Sequence, residues 1–289
     1  SLTPTLPGNY KLIGTINCSG IQFESSEIPV SVCPDDYDND GIIDNKDIDI
    51  DNDGILNITE SKGNASINLL DINNPIIQFL DGSINSVIIN SNYSEYNSIG
   101  TANSLNGDIN GNFTSNVSSA NDSNLKYSLN YTEPVNFSIT ESTTTTHTII
   151  TGEYFILKIS PSNKNITLLD PNNQLLVDTN FDGIFESGVL DFSASEIRFK
   201  YNSSATGSTP FKFIANQVSQ ISFEHHLSNL SENSIFQGNI KLTSFDIDTD
   251  NDGINNSFDL DSDNDGIPDL IEKNNTLISL LNSDANNDG

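Results

Sequence analysis

Residues 124–131, "NLKYSLNY", place Leu125, Tyr127, Leu129 and Tyr131 at alternate positions with polar residues between them. Successive side chains of a strand point to opposite faces, so this pattern predicts a strand with one face in a core and one in water. It returns in "EIRFKYN" (196–202), where Ile197, Phe199 and Tyr201 alternate with Glu196, Arg198 and Lys200. "PVNFSI", "YFILKI", "NITLL", "PFKFIA" and "QISFEHHL" behave alike. Roughly a dozen such runs, separated by turn residues and without a helical period of useful length, predict an antiparallel, jelly-roll-like β-sandwich over residues 61–245. Asn, Ser and Thr replace Lys and Glu as polar filler, which favours strands and turns. Fifteen Phe and eight Tyr can fill the core.

Two stretches depart from the pattern. Residues 91–123 are rich in Asn, Ser and Gly and poor in apolar residues, and read as a solvated surface insertion or a long loop with a binding edge. Residues 1–34 read as the last strands of a preceding β-domain, with Tyr10, Leu12 and Ile16 inward. Cys18 and Cys33 lie in stretches that alternate like a hairpin, so a disulfide is expected in an oxidising compartment; two free thiols are the alternative.

Around the sandwich the chain turns acidic. "YDNDGIIDNKDIDIDNDGILNITE" (37–60) and "DTDNDGINNSFDLDSDNDGIPDLIE" (248–272) divide into four twelve-residue loops. The first carries Asp36, Asp38 and Asp40 at positions 1, 3 and 5, then Gly41, Ile42, Asp44 and Asp47 at 6, 7, 9 and 12. Asp49, Asp51, Asp53, Gly54, Ile55, Asn57 and Glu60 repeat the pattern. The third loop has Asp248, Asp250, Asp252, Gly253, Ile254, Asn256 and Asp259; the fourth has Asp261, Asp263, Asp265, Gly266, Ile267, Asp269 and Glu272. Alternate acids on a curled loop, a glycine for the sharp turn, a backbone carbonyl at position 7 and a closing acid at 12 match the oxygen-rich shell that Ca2+ requires. Mg2+ demands stricter octahedral geometry and holds its water. Only Ile48 and Leu260 separate the paired loops, which leaves no room for the helices of an EF-hand or dockerin. The closing acids Asp47 and Asp259 therefore fall beside the opening acids Asp49 and Asp261. A weaker match, Asp178, Asn180, Asp182, Gly183 and Glu186, has Val189 at position 12; it reads as a fifth calcium loop or as a polar hairpin turn. "DANNDG" (284–289) reads as the start of another loop.

With 40 acids against 11 Lys and Arg, a net charge of −29 disfavours nucleic acid and anionic membrane surfaces as partners. No apolar run approaches the length of a membrane span. The sequence starts at Ser1 and stops at Asp288–Gly289 within a motif, and reads as a piece of a longer protein. His225 and His226 adjoin in a predicted strand and face opposite ways, one packed and one solvated; His147 lies elsewhere. No nucleophile elbow, zinc-protease helix or phosphate loop occurs. Two carboxylates suffice for glycoside hydrolysis, with Glu153, Glu186, Glu196 and Glu224 as candidates, but nothing marks a pair, and no enzyme is expected.

The loops of residues 35–60 and 246–273 resemble thrombospondin type 3 repeats, whose units read Asp-x-Asp-x-Asp-Gly-x-x-Asp-x-x-Asp. "DTNFDGIFESGVLDFSASEIRFKYN" together with "DSDNDGIPDLIE" resembles the very large, SprB-like surface adhesins of gliding bacteria that use type IX secretion. That resemblance implies an extracellular, outer-membrane-attached filament of β-domains joined by calcium-loaded connectors, with no catalytic residue. Its implied organisation is an upstream domain ending at 34, loop pairs at 35–60 and 246–273 on either side of the sandwich, and a further repeat beginning at 274–289. The implied partners are neighbouring domains of the same chain, other adhesin subunits and surface polysaccharide. A calcium-assisted, lectin-like module of a secreted protein is the alternative reading.

Overall fold

A computed structural model describes residues 8–11, 13–15, 21–24, 28–30, 33–79, 87, 89–141, 149–203 and 209–274. Near the start, strands β1 (Gly8–Tyr10), β2 (Ile13–Thr15), β3 (Gln22–Glu24) and β4 (Ile28–Val30) form nested antiparallel pairs, β1 with β4 and β2 with β3. Cys33 is exposed; Cys18, and with it the expected disulfide, lies outside the described residues, as do His147 and "DANNDG".

Thirteen further strands follow: β5 (Ala65–Asn68), β6 (Ile76–Phe79), β7 (Ile89–Asn97), β8 (Ser104–Gly107), β9 (Asn112–Val117), β10 (Ala120–Glu141), β11 (Glu153–Ser160), β12 (Ile166–Leu169), β13 (Leu175–Asp178), β14 (Asp191–Ala194), β15 (Glu196–Tyr201), β16 (Lys212–Asn229) and β17 (Ser234–Leu242). The long strands β10 and β16 pair twice, Ser123–Asn130 with Leu227–Gln220 and Phe137–Thr140 with Ala215–Lys212. The register breaks between these runs, and at the break both strands change outer partners. Before it β10 holds β7 and after it β17; β16 holds β12 on one side of the break and β11 on the other. Bulges bend a ladder sharply, so two strands build both layers of an antiparallel sandwich. One layer runs β7-β10-β16-β11-β15-β13; the other runs β14-β12-β16-β10-β17, with β9 and β5 sharing the far edge of β17.

The two inner faces meet in aromatic contacts. Phe236 of β17 lies 4.9 Å from Phe223 and 5.0 Å from Phe155, and Phe199 of β15 lies 4.9 Å from Phe213, centroid to centroid. Burying each such ring stabilises the fold by about 1.5–3 kcal/mol. The faces predicted from alternation are the buried ones: Leu125, Tyr127, Leu129 and Tyr131, and Ile197, Phe199 and Tyr201.

Residues 91–123 are not the insertion that their composition implies. They form most of β7, all of β8 and β9, and the start of β10. The inward positions of β9 are Phe113, Ser115 and Val117, so a polar residue interrupts the apolar alternation. Asn103 donates its amide to the carbonyls of Tyr96 and Asn124 at 3.0 and 2.9 Å, and Asn97 donates to that of Ser118 at 3.1 Å. These side chains satisfy partly buried backbone carbonyls, a task that hydrophobic periodicity does not reveal.

Ser115 also begins a polar thread through the core. His225 of β16 is fully buried, with Nδ1 2.9 Å from Ser115 Oγ and Nε2 2.7 Å from Ser234 Oγ. Ser234 donates in turn to the Glu153 carboxylate on β11. Next to it, His226 faces outward and stacks on Tyr154 at 4.5 Å. Burial, and secondarily the neighbouring His226, pushes His225 down to about 3, so the ring stays neutral in the fold.

Unfolded chains protonate this histidine near 6.5, whereas the folded protein does not until about 3. Its contribution is therefore complete above pH 6.5 and falls progressively as pH drops toward 3. Urea unfolding at pH 7 and pH 4 should show this loss, and a His225→Gln variant, though weaker at pH 7, should show a shallower one.

Candidate metal centre

The acidic repeats fold alike. In each, Oδ2 of the first Asp accepts the N–H of the glycine at position 6, at 2.9–3.2 Å, for Asp36, Asp49, Asp248 and Asp261. Oδ1 of the third residue accepts the N–H of the fifth at 2.9–3.3 Å, in Asp38, Asp51, Asp250 and Asp263. Oδ1 of the fifth accepts the N–H of the isoleucine at position 7 at 2.6–2.9 Å. Each acid thus braces the turn with one oxygen. The asparagine at position 4 and the glycine at position 6 take left-handed backbone, with φ of 62° and 96° in the first loop. Glycine adopts it freely and asparagine at small cost.

The weaker segment, 178–186, has the same fold. Gly183 N–H bonds to Asp178, Asp182 N–H to Asn180 and Ile184 N–H to Asp182, and Phe181 holds φ 59° at position 4. Phe181 lacks the ease of asparagine there; the Arg198 guanidinium lies 4.7 Å over its ring. Its polar residues therefore form the same loop backbone as the four strong matches, with Val189 at the closing position.

Position 9 has a use that spacing alone does not predict. Its side-chain oxygen accepts the N–H of position 2 in all five loops: Asp44 from Tyr37, Asn57 from Ile50, Asn256 from Thr249, Asp269 from Ser262 and Glu186 from Thr179, at 2.8–3.0 Å. Asn serves here as well as Asp because the brace needs an acceptor rather than a charge. The closing acids Asp47 and Asp259 accept the N–H of Asp49 and Asp261, joining the paired loops.

The second oxygen of most of these acids is left for the loop centre; that of Asp250 accepts the Asn264 amide at 2.6 Å. Carboxylate oxygens of Asp36, Asp38 and Asp40 lie within 4.8 Å of one another, as do those of Asp49, Asp51 and Asp53, of Asp248, Asp250 and Asp252, and of Asp261, Asp263 and Asp265. Asp36 Oδ1, Asp38 Oδ2, Asp49 Oδ1, Asp51 Oδ2, Asp261 Oδ1 and both oxygens of Glu60 are shielded from water without a hydrogen-bond donor. Burial, then the neighbouring carboxylates, raises Asp51 to about 7 and Glu60 to about 8. Converging hard oxygens that lack donors fit a divalent cation of the Ca2+ type.

Sequence order puts one loop pair before the sandwich and one after it, but in space the two pairs meet. Ser66 and Ala65 of β5 pair with Lys241 and Leu242 of β17, and the ladder continues through Lys62 N–H to Phe245 O and Phe245 N–H to Gly63 O. The strands that begin and end the sandwich are therefore neighbours, and the loops beyond them lie together. Tyr37 packs edge-on against Phe258 at 5.2 Å and donates its hydroxyl to the Phe258 carbonyl. The first pair also docks on the sandwich. Asn45 bonds to Asn165, Thr167 and Asn216, and Lys46 and Lys164 pair with Asp191 and Asp35. Asp246 accepts from Asn136 and Gln217 at the β10–β16 bend and from Asn255 in the third loop.

No family model matches the chain, and no curated protein matches it. Among solved structures, the chain is similar to procruciferin, an 11S globulin from Brassica napus, at 10% identity over 43% of this chain and 27% of that one, with a TM-score of 0.21. It is also similar to a structure from work on the promiscuous specificity of carbohydrate-binding modules of the β-sandwich superfamily, at 13% identity over 82% and 73%, with a TM-score of 0.14.

Because Glu60 and Asp51 hold protons near neutrality, a cation entering the second loop must displace them. Calcium affinity should rise with pH, by up to about a hundredfold per unit below about 7, where both protons must leave, by up to about tenfold per unit from about 7 to 8, and level off above that. Isothermal titration across pH 6–9 checks this, and Glu60→Gln should flatten the profile.

Proposed function

We propose that this chain is a calcium-stabilised structural and adhesive module of a long, extracellular, cell-surface filament, without catalysis of its own. The observation that carries this reading is the repeated loop: carboxylates brace the turn with one oxygen and converge within 4.8 Å in each loop, and in Asp36, Asp38, Asp49, Asp51 and Asp261 the other oxygen is shielded from water and lacks a donor. Asp36, Asp38, Asp40 and Asp47 would hold one ion; Asp49, Asp51, Asp53 and Glu60 a second. Asp248, Asp250, Asp252 and Asp259 would hold a third, and Asp261, Asp263, Asp265 and Glu272 a fourth. Bound Ca2+ supplies the positive charge that relieves repulsion among these carboxylates and fixes the loops. The loops then act as a rigid base for the sandwich, and as its junction to neighbouring domains and other adhesin subunits.

A second reading has an observation of its own. The outward face of β11, β15 and β16 carries the stacked rings of Tyr154 and His226, with Phe185 6.3 Å from Tyr154 and the Lys200 ammonium 4.6 Å over Phe185. Half-buried rings edged by Glu224 and Arg198 can stack on a sugar and bond its hydroxyls. On that reading the module grips surface polysaccharide. A glycan array on wild type and Tyr154→Ala separates the readings, because sugar binding lost with Tyr154 supports the second.

Calorimetry should find at least four Ca2+ per chain, with dissociation constants of about 10⁻⁴ M or tighter, as in extracellular calcium modules. Binding to the folded form alone should raise the melting temperature, and EDTA should reverse the shift. Fewer than three ions, or no response to EDTA, overturns the calcium reading.

A further inference from the structure

The two loop pairs do more than touch. Carboxylate oxygens of Asp53 and Glu60, from the second loop, and of Asp269, from the fourth, all lie within 4.8 Å of one another. Glu60 closes the second loop in sequence, yet its neighbouring negative charges include Asp269 as well as Asp51, Asp53 and Asp49. Its side chain is 7% exposed, and neither carboxylate oxygen meets a donor. An acid this deeply buried, with no hydrogen-bond partner and facing Asp53 of its own loop and Asp269 across the junction, lacks its counter-charge. The Leu270 side chain, beside Asp269, comes close to Gly54, so the fourth loop reaches the turn of the second.

Asp269 can serve both sides at once. One of its oxygens accepts Ser262 N–H at 2.9 Å, the brace found at position 9 of every loop, and the other accepts the Ser262 hydroxyl. A carboxylate oxygen has two lone pairs, so accepting one hydrogen bond leaves it able to ligate.

We propose that Asp53, Glu60 and Asp269 jointly hold one divalent cation that bridges the two loop pairs, so that a single ion clasps the chain before the sandwich to the chain after it. The inference rests on the calcium reading of the loops and deepens it: the second loop is completed by an acid from the far end of the sequence. Three carboxylates converge where Ca2+ seeks hard oxygens. It also gives a reason for Asp at position 9 of the fourth loop, where Asn suffices as a brace in the second and third.

The test is a double-mutant cycle on calcium binding by the full 289-residue chain, read by isothermal titration. Asp269→Asn keeps an acceptor for Ser262 N–H and removes the bridging charge, so the fourth loop should keep its fold; circular dichroism checks this. Glu60→Gln and Asp269→Asn should each weaken the same one calcium equivalent, by tenfold or more. The double variant should weaken that one equivalent only. Asp53→Asn, made separately, should act on it too. If Glu60→Gln and Asp269→Asn weaken two different equivalents, additively, or if Asp269→Asn leaves every equivalent unchanged, the bridge is wrong while the calcium loops stand. If wild type binds no Ca2+, both fail together.

Discussion

Antiparallel pairing of residues 62–66 with 241–245 decides where the rest of this chain can lie. A sandwich whose first and last strands are neighbours receives and returns its chain at one place. The flanking loops are then forced together, although each carries acids that repel the other's. Two conditions make this tolerable. The loops are pinned to the sandwich by neutral and oppositely charged contacts, such as Asn45 to Thr167 and Lys164 to Asp35. Their own acids also spend half of their oxygens on backbone N–H groups, which holds the remaining oxygens in fixed directions. Repulsion and preorganisation are thus two aspects of one arrangement, and a bound cation would turn the first into attraction without disturbing the second.

The bend in β10 and β16 is the second point on which the architecture turns. Asn136 and Gln217 sit at the break in register, with Gln217 in left-handed backbone and its N–H bonded to Asn136. The same two side chains bind Asp246, which leads into the third loop. Burial holds the Asp246 carboxyl up at about 6 even though three amides donate to it. The corner that creates two layers from one ladder is thus also the seat on which the loops rest.

Much of this was legible in the sequence, for physical reasons. Phe, Tyr, Leu and Ile at alternate positions gave away β10, β11, β15 and β16, because a half-buried strand leaves that signature. The four strong loops were legible because a curled backbone admits bracing carboxylates only at fixed spacing and requires glycine at one place. Strands β7 to β9 were hidden, because Ser115, Asn97 and Asn103 face inward to satisfy buried polar groups and so erase the alternation. The bend was hidden because Asn136 and Gln217 are unremarkable in type. The meeting of the loop pairs could not be read at all, since it follows from strand pairing between opposite ends of the sandwich rather than from any local pattern. The brace at position 9 was masked by its resemblance to a ligand position, which Asn57 and Asn256 fill as readily as Asp44.

The shared place of arrival and departure bears on how the molecule would carry force if pulled from both flanks. A pull applied through the flanking segments would act on β5 and β17 from the same end. It would open their hydrogen bonds one after another, as a zip opens, rather than shearing them all at once. Peeling of this kind needs little force for a ladder of a few bonds. The two loop pairs lie upstream of that ladder on both strands, and contacts such as Tyr37 with Phe258 cross directly between them. Tension therefore reaches the loops before it reaches the sheet. While they hold to each other, the load passes from one side to the other through them, and the aromatic core hangs beside the line of force rather than in it.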